Sequence, residues 1–316
     1  MAIPSLGLWL DARRPRSVSF ISHAHSDHIG NHTRAIATKA TAELCRPRLA
    51  VRSTTEYEVH EYGEKFSVAG SNIELISAGH ILGSAQILVE SGDHTLLYTG
   101  DFKLRPGHTH ARCETRRCDT LVMECTYGRP HYRFPDRAGV EAELVARCKA
   151  AWERGRTPVI YAYALGKAQE IVAVLNRAQL PVMVHGVIAR MCTAYEALGV
   201  NLGAWQPYEE ADRAGHVLVM PPDARRGSLM KKIFPRFEIA VTGWAVDAGM
   251  RFRLGVDLAL PYSDHADFNE LIEYVERAQP SKVYCVHGFQ DFVHHLRRAG
   301  IDARWLAPQS QLELFA

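Results

Sequence analysis

The chain has 316 residues, 47% of them hydrophobic and 23% charged, with a formal net charge of +2. That is enough apolar material for one large packed domain or two ordinary ones, and no stretch approaches the roughly 20 apolar residues of a membrane span. A charge so close to zero excludes a polycation that holds nucleic acid by its overall field, so any such ligand must meet local basic patches.

Met1 to Leu10 lacks the basic start and long apolar core of a signal peptide, which predicts a cytoplasmic protein with no membrane partner. Gly7 to Leu10 reads as a strand that ends at Asp11, before the basic turn Ala12 to Arg16. A carboxylate in that place either forms the turn or orients a histidine, and position alone leaves both open. Ser17 to Ile21 is a second short strand, and it runs into Ser22-His23-Ala24-His25-Ser26-Asp27-His28. Residues two apart in extended chain share a side, so His23 and His25 can reach one ion together. A helix starting at Asp27 would carry Asp27 and His28 on to a second ion. The spacing therefore suggests two metals.

Ala35 to Val51 reads as a short strand followed by a helix-like stretch that ends near Arg46-Pro47. Ile73 to Ser77 alternates as a half-buried strand and delivers His80 in a glycine-bearing loop. Ala85 to Glu90 and His94 to Thr99 form a hairpin whose second strand ends at Gly100-Asp101. Thr120 to Met123 then delivers Glu124. Ligand-type residues at successive strand ends converge on one rim of a sheet, where loops carry chemistry on a rigid frame.

Near Pro135 the pattern changes to α/β alternation of parallel-sheet type: a long helix from Asp136 to Arg154, a strand from Pro158 to Ala162, a helix from Lys167 to Asn176, and strands at 181–184 and 216–220. After Phe237 to Trp244 the earlier theme returns. A strand from Val256 to Pro261 leads to Asp264-His265 and a helix from Asp267 to Arg277; a strand from Lys282 to Val286 leads to His287-Gly288 and a helix from Gln290 to Ala299. The simplest organisation is a metal-binding domain in two parts, residues 1–131 and 249–316, with an α/β insertion at 132–248. The strand-end groups suffice for two ions, and Asp101 is the natural carboxylate to bridge them, because its two oxygens can hold ions about 3.5–4 Å apart. Such a pair acidifies a trapped water and stabilises charge on an attacked phosphoryl or acyl group.

His-x-His-x-Asp-His at 23–28, His80 in Gly-His-Ile-Leu-Gly-Ser-Ala and Asp101 in Tyr-Thr-Gly-Asp-Phe resemble the signature of the metallo-β-lactamase superfamily. Glu124 in Met-Glu-Cys-Thr-Tyr-Gly, His265 in Tyr-Ser-Asp-His-Ala-Asp-Phe and His287 in Val-His-Gly resemble motifs A, B and C of its β-CASP nuclease branch, and Ala164 to Glu170 is similar to part of a compact β-CASP domain. The resemblance implies a metallo-β-lactamase αββα sandwich with an inserted α/β domain. It implies two divalent ions, zinc first and manganese as the alternative, with His23, His25, His80 and Asp101 on one and Asp27, His28, His287 and Asp101 on the other. Asp11 would support the histidines. Asp27, His265 and Glu124 would be catalytic, His265 as general acid for the departing sugar oxygen and Glu124 as the group that fixes its tautomer.

Thr242-Gly243-Trp244 and Leu260 to His265 are similar to the DNA cross-link repair and Artemis branch, whereas His287 is a feature of RNA-processing members such as RNase J and the cleavage-and-polyadenylation nuclease. The combination most resembles bacterial exonucleases associated with ATP-dependent DNA ligase. The expectation is a DNA exonuclease or end-processing enzyme in repair, acting on single-stranded or processed ends, with a DNA ligase and a helicase as partners. RNA processing is the alternative. A catalytically vestigial nucleic-acid-binding subunit and a small-molecule hydrolase are the readings from other classes.

Tyr127, Arg129, His131, Tyr132, Arg133 and Phe134 interleave rings with charge, as single-strand binding surfaces do, although such composition also suits a junction loop. Tyr127, Arg129, Tyr132, Arg133 and Lys167 are the candidate nucleic-acid contacts. Arg225, Arg226, Lys231, Lys232 and Arg236 form a second basic cluster, suited to backbone contact or to a solvated face. His108-Thr109-His110 mimics the first ligand pair but has no adjacent acid, His185 suits a structural place better than a phosphate contact, and His294-His295 belongs on a helix surface. Seven scattered cysteines with no C-x-x-C pair indicate buried free thiols, and Cys113 with Cys118 has no partner pair for a metal.

Overall fold

A computed structural model describes residues 1–49 and 54–306, in two compact units: Met1–Pro130 with His265–Ala316, and His131–Asp264. The Val51 end of the Ala35 to Val51 segment and residues 307–316 of the expected closing segment lie outside the described residues. In the first unit, strands β1 (Ala2–Ile3), β2 (Leu8–Leu10), β3 (Val18–Phe20), β4 (Arg34–Ala37) and β5 (Glu56–Val59) form one sheet in chain order. β6 (Lys65–Val68), β7 (Ser71–Ser77), β8 (Ala85–Ser91) and β9 (His94–Tyr98) build a second sheet as an antiparallel meander, and β10 (Thr120–Cys125) joins it parallel to β9.

The second unit contributes β11 (Thr157–Tyr161), β12 (Val182–Val184), β13 (Gln206–Pro207), β14 (Val217–Met220), β15 (Arg236–Val241) and β16 (Leu258–Leu260). All neighbours are parallel, in the order β13-β12-β14-β11-β15-β16. The chain then returns to the first unit. β17 (Lys282–Gly288) and β18 (Asp302–Trp305) complete its second sheet in the order β18-β17-β10-β9-β8-β7-β6.

Alternation along the strands fixes the layers of the first unit. Leu8, Leu10, Phe20 and Ile36 of the first sheet meet Leu75, Ile87, Val89, Leu96 and Val122 of the second in one core. The opposite face of the second sheet, with Ile76, Leu88, Leu97, Leu121 and Met123, is covered by Leu271, Tyr274, Phe292 and Leu296. The helices α1 (Lys39–Cys45), α2 (Arg137–Glu153), α3 (Lys167–Arg177), α4 (Gly186–Ala197), α5 (Ser228–Lys231), α6 (Met250–Leu254), α7 (Phe268–Ala278) and α8 (Asp291–Arg298) follow in chain order, and α7 and α8 supply that cover. Tyr57 pairs with Ala35, so it faces away from Ile36, and it meets Cys45 of α1. The unit is therefore an αββα sandwich, and the second unit an α/β insertion.

Three local expectations change. No helix starts at Asp27: Ser26 to His28 form a turn in which the His28 amide donates to the His25 carbonyl at 3.1 Å. The chain must reach β4 by Arg34, and Gly30 lets it pass a place where a Cβ would lie 2.6 Å from the Ala12 carbonyl oxygen. Helix α4 is additional to the sequence reading. The second unit also runs past residue 248 to Asp264, because β16 pairs with β15 and so belongs to the insertion's sheet.

Candidate metal centre

The imidazoles and acids placed at strand ends by the sequence come together in the first unit. His23, His25, His80 and Asp101 each offer a ligand atom within 4.8 Å of the others. His25 Nδ1 lies 3.1 Å from His23 Nε2 and 3.1 Å from His80 Nε2. One ring nitrogen carries a single proton or a single lone pair and cannot bond well to both. Three nitrogens at this separation suit a divalent cation with nitrogen bonds of about 2.0–2.1 Å. The residues present fit such an ion.

Asp101 Oδ2 stands at the hub, 3.5 Å from His23 Nε2, 3.9 Å from His80 Nε2 and 3.5 Å from His28 Nε2. Its approach depends on Gly100, whose φ of +55° is left-handed and whose absent Cβ would meet the Ser22 side chain at 2.6 Å. Gly79, φ +68°, does the same before His80, where a Cβ would lie 2.7 Å from the Lys103 carbonyl oxygen.

The ring orientations have a chemical cause. His28 Nδ1 donates to Asp11 Oδ2 at 2.8 Å, and His23 Nδ1 donates to Ser22 Oγ at 2.9 Å, which in turn donates to Asp11 Oδ2 at 2.6 Å. These bonds assign the tautomers and leave both Nε2 atoms for the centre. Asp11 also accepts from the Ser22 amide at 2.7 Å and the Tyr98 hydroxyl at 2.7 Å, and its own φ of 47° is left-handed. Asp11 thus bonds His28 directly and His23 through Ser22. Ser22 and Tyr98 escaped the sequence reading; Tyr98 stands in the same Tyr-Thr-Gly-Asp run as Asp101, which was the available signal.

Burial and the neighbouring imidazoles hold His23 well below its ordinary pKa, so it is neutral and able to ligate. His28 behaves in the opposite way. Burial works against its charge, but Asp101, Asp11 and Asp27 outweigh it and push the imidazole up to about 10. Asp27 Oδ2 lies 3.7 Å from His28 Nε2, and the His287 ring centre is 5.6 Å from that of His28. Asp27 and His287 are both exposed, and His287 takes a left-handed φ of 47°. This group is more open than the first. A cavity of about 240 Å³ lies beside Asp27, His28 and His287, and Arg13, Arg14 and Arg16 line it. The sequence reading saw those arginines only as a basic turn.

Glu124 is fully buried and lies with Asp101 and His265 in a second group of ligand-type atoms within 4.8 Å. Its Oε1 accepts from His265 Nδ1 at 2.8 Å and from the Phe102 amide at 3.1 Å, and its Oε2 from the Thr126 amide at 3.1 Å. Burial would raise its pKa, but the His265 charge and these donors hold it below the usual range. Nδ1 of His265 is thereby held by Glu124, and the His265 ring packs 4.9 Å from that of His80.

The candidate nucleic-acid contacts fare differently. Tyr127 and Tyr132 are buried, at 3% and 4% exposure, and so cannot stack a base from solvent. Lys167 is buried too, with Nζ 3.6 Å from Asp264, so its charge serves an internal pair. Arg129 is tied to Asp291 at 2.9 Å and lies over the Phe289 ring, while Arg133 is exposed. His185 caps α4, accepting from the Val187 amide at 3.2 Å. His108 and His110 join no ligand group among the described residues.

Residues 252–305 match the family model described as "Zn-dependent metallo-hydrolase RNA specificity domain". The chain is 40% identical over 99% of its length to a probable DNA ligase of Opitutus terrae, of which it spans 31%. It is 23% identical to an RNase J-like protein of Methanocaldococcus jannaschii, over 85% of this chain and 80% of that one. The crystal structure of a protein of unknown function from Enterococcus faecalis V583 shares the fold, with a TM-score of 0.66 over 93% of this chain and 80% of the other at 16% identity.

Proposed function

Because this chain belongs to the β-CASP branch of the metallo-β-lactamase superfamily, we propose that it hydrolyses phosphodiester bonds of DNA with two divalent ions, as an exonuclease or end-processing enzyme in repair. The observation that carries this reading is the single carboxylate Asp101, whose Oδ2 lies 3.5 Å from His23 Nε2 and 3.5 Å from His28 Nε2, with Glu124 and His265 beside it. His23, His25, His80 and Asp101 would hold one ion, and Asp27, His28, His287 and Asp101 the other. Bound there, zinc or manganese supplies Lewis acidity toward a phosphoryl oxygen and lowers the pKa of water.

The chain's own groups do the rest. Glu124 holds the Nδ1 proton of His265, which turns Nε2 toward the centre to protonate a departing sugar oxygen. Asp11 and Ser22 keep the His23 and His28 rings aligned, and Arg13 and Arg14 offer charge to phosphates beside the Asp27 side. The likeness to a probable DNA ligase over nearly the whole chain favours DNA and a ligase partner. The RNase J-like relative and the RNA specificity domain favour the second reading, RNA processing.

End-labelled single-stranded DNA, duplex DNA and RNA, incubated with the protein and zinc or manganese, separate these readings on one gel. Chelator-sensitive shortening of DNA from an end is the expected result. Cleavage of RNA with DNA left intact selects the second reading. DNA binding without turnover under any divalent metal replaces both with a vestigial site.

A further inference from the structure

The second unit contains a cavity of about 420 Å³ that the hydrolytic centre does not use. It lies at the carboxyl ends of three parallel strands: Tyr161 closes β11, Pro222 to Arg226 follow β14, and Ala240 to Trp244 close and follow β15. β11 leads on to β12, beyond β14 in one direction, while β14 leads on to β15, beyond β11 in the other. The winding therefore reverses between β14 and β11. Open parallel sheets bind ligands in the crevice that such a reversal leaves outside the carboxyl ends of the strands, and the volume falls within the about 300–1,000 Å³ of small-molecule sites.

The lining states what chemistry fits. Tyr161, Tyr163 and Trp244 bring rings, and Arg225, Arg226 and Arg253 bring guanidinium groups, with Asp223 as an acidic neighbour. Tyr163 is 59% exposed, with Lys167 Nζ 5.0 Å from its ring centre on one face. Arg225 is engaged with the Gly255 carbonyl and Glu238 and serves as wall. Arg226 is exposed and makes no ion pair among the described residues, and Arg253 reaches Asp247 only at 4.0 Å. Rings beside guanidinium groups stack a base and hold its phosphate.

We propose that this cavity binds one nucleotide, its base against Tyr163 and Trp244 and its phosphate on Arg226 and Arg253. The proposal rests on the nucleic-acid reading above and adds a recognition site carried by the second unit alone. The same chemistry is offered by a free mononucleotide and by one unit of a strand.

The full chain, stripped of metal with a chelator so that nothing is cut, is titrated calorimetrically with dAMP, AMP, a short oligodeoxyadenylate and inorganic phosphate. Saturable binding is expected, about tenfold or more weaker in Tyr163→Ala and in Arg226→Ala and unchanged in Asp101→Asn. Both replaced side chains are exposed, and circular dichroism checks that the variants fold. Binding of dAMP or AMP identifies a free nucleotide as sufficient, whereas binding of the oligomer alone identifies a strand. The proposal is overturned if no nucleotide binds, if Tyr163→Ala and Arg226→Ala bind as the parent does, if inorganic phosphate binds as tightly as nucleotides, or if Asp101→Asn abolishes binding. Absent cleavage with this binding intact removes the nuclease reading and leaves the site.

Discussion

Held among three carboxylates, the His28 imidazole keeps its proton up to about 10 in the chelated protein, so an ion that takes Nε2 must expel it. Loading zinc near pH 7.5 is therefore expected to release protons, seen in calorimetry as a binding heat that varies with the ionisation enthalpy of the buffer. His28→Gln removes that component. The linkage sign follows from a raised value: the charged pair stabilises the chelated protein fully below the ordinary imidazole range and is lost as pH rises through about 10. For His265→Ala we expect turnover to fall by about 10²-fold or more with metal content retained by elemental analysis, and for Glu124→Gln a smaller loss in the same direction. The gathering of His23, His25, His80 and Asp101 was legible because histidine and aspartate recur at the ends of successive strands. Ser22 and Tyr98 were not, since a serine and a tyrosine have many uses and only the fold brings them to Asp11.

Helix α7 sets where His265 sits, because its cap follows two residues later. Asp267 accepts from the Glu270 amide at 2.9 Å, Glu270 accepts from the Asp267 amide at 3.0 Å, and Arg105 is anchored to both acids. Asp267→Ala is expected to cost about 1–2 kcal/mol and to lower the melting temperature by a few degrees, with Asn restoring most of the cap; scanning calorimetry measures both. This helix, like α2 with its Asp136 cap, was readable from a capping residue before an apolar period. α4 was not, because its cap is a histidine. The turn at Ser26–His28 failed for the reverse reason: helix-starting residues were present, but the following strand left no length for a helix.

At the scale of the molecule, seven free cysteines are spread over both units. Burial pushes Cys45, Cys118, Cys148 and Cys192 up to about 12, so at pH 8 these thiols stay protonated and shielded. A thiol reagent should label the native protein slowly and all seven sites at once in guanidinium chloride, as mass spectrometry would count. The insertion was legible as a change of rhythm near Pro135, but its far edge was not, since β16 looks like any apolar strand until its partner is known. The pairing of β10 with β17 has one more consequence. A ribosome makes His23, His80 and Asp101 early and His265 and His287 late, so a polypeptide interrupted in the insertion lacks β17, β18 and the helices α7 and α8 that cover the second sheet, and with them both late histidines. The Glu124–His265 pair therefore forms only after the ribosome has passed the whole insertion.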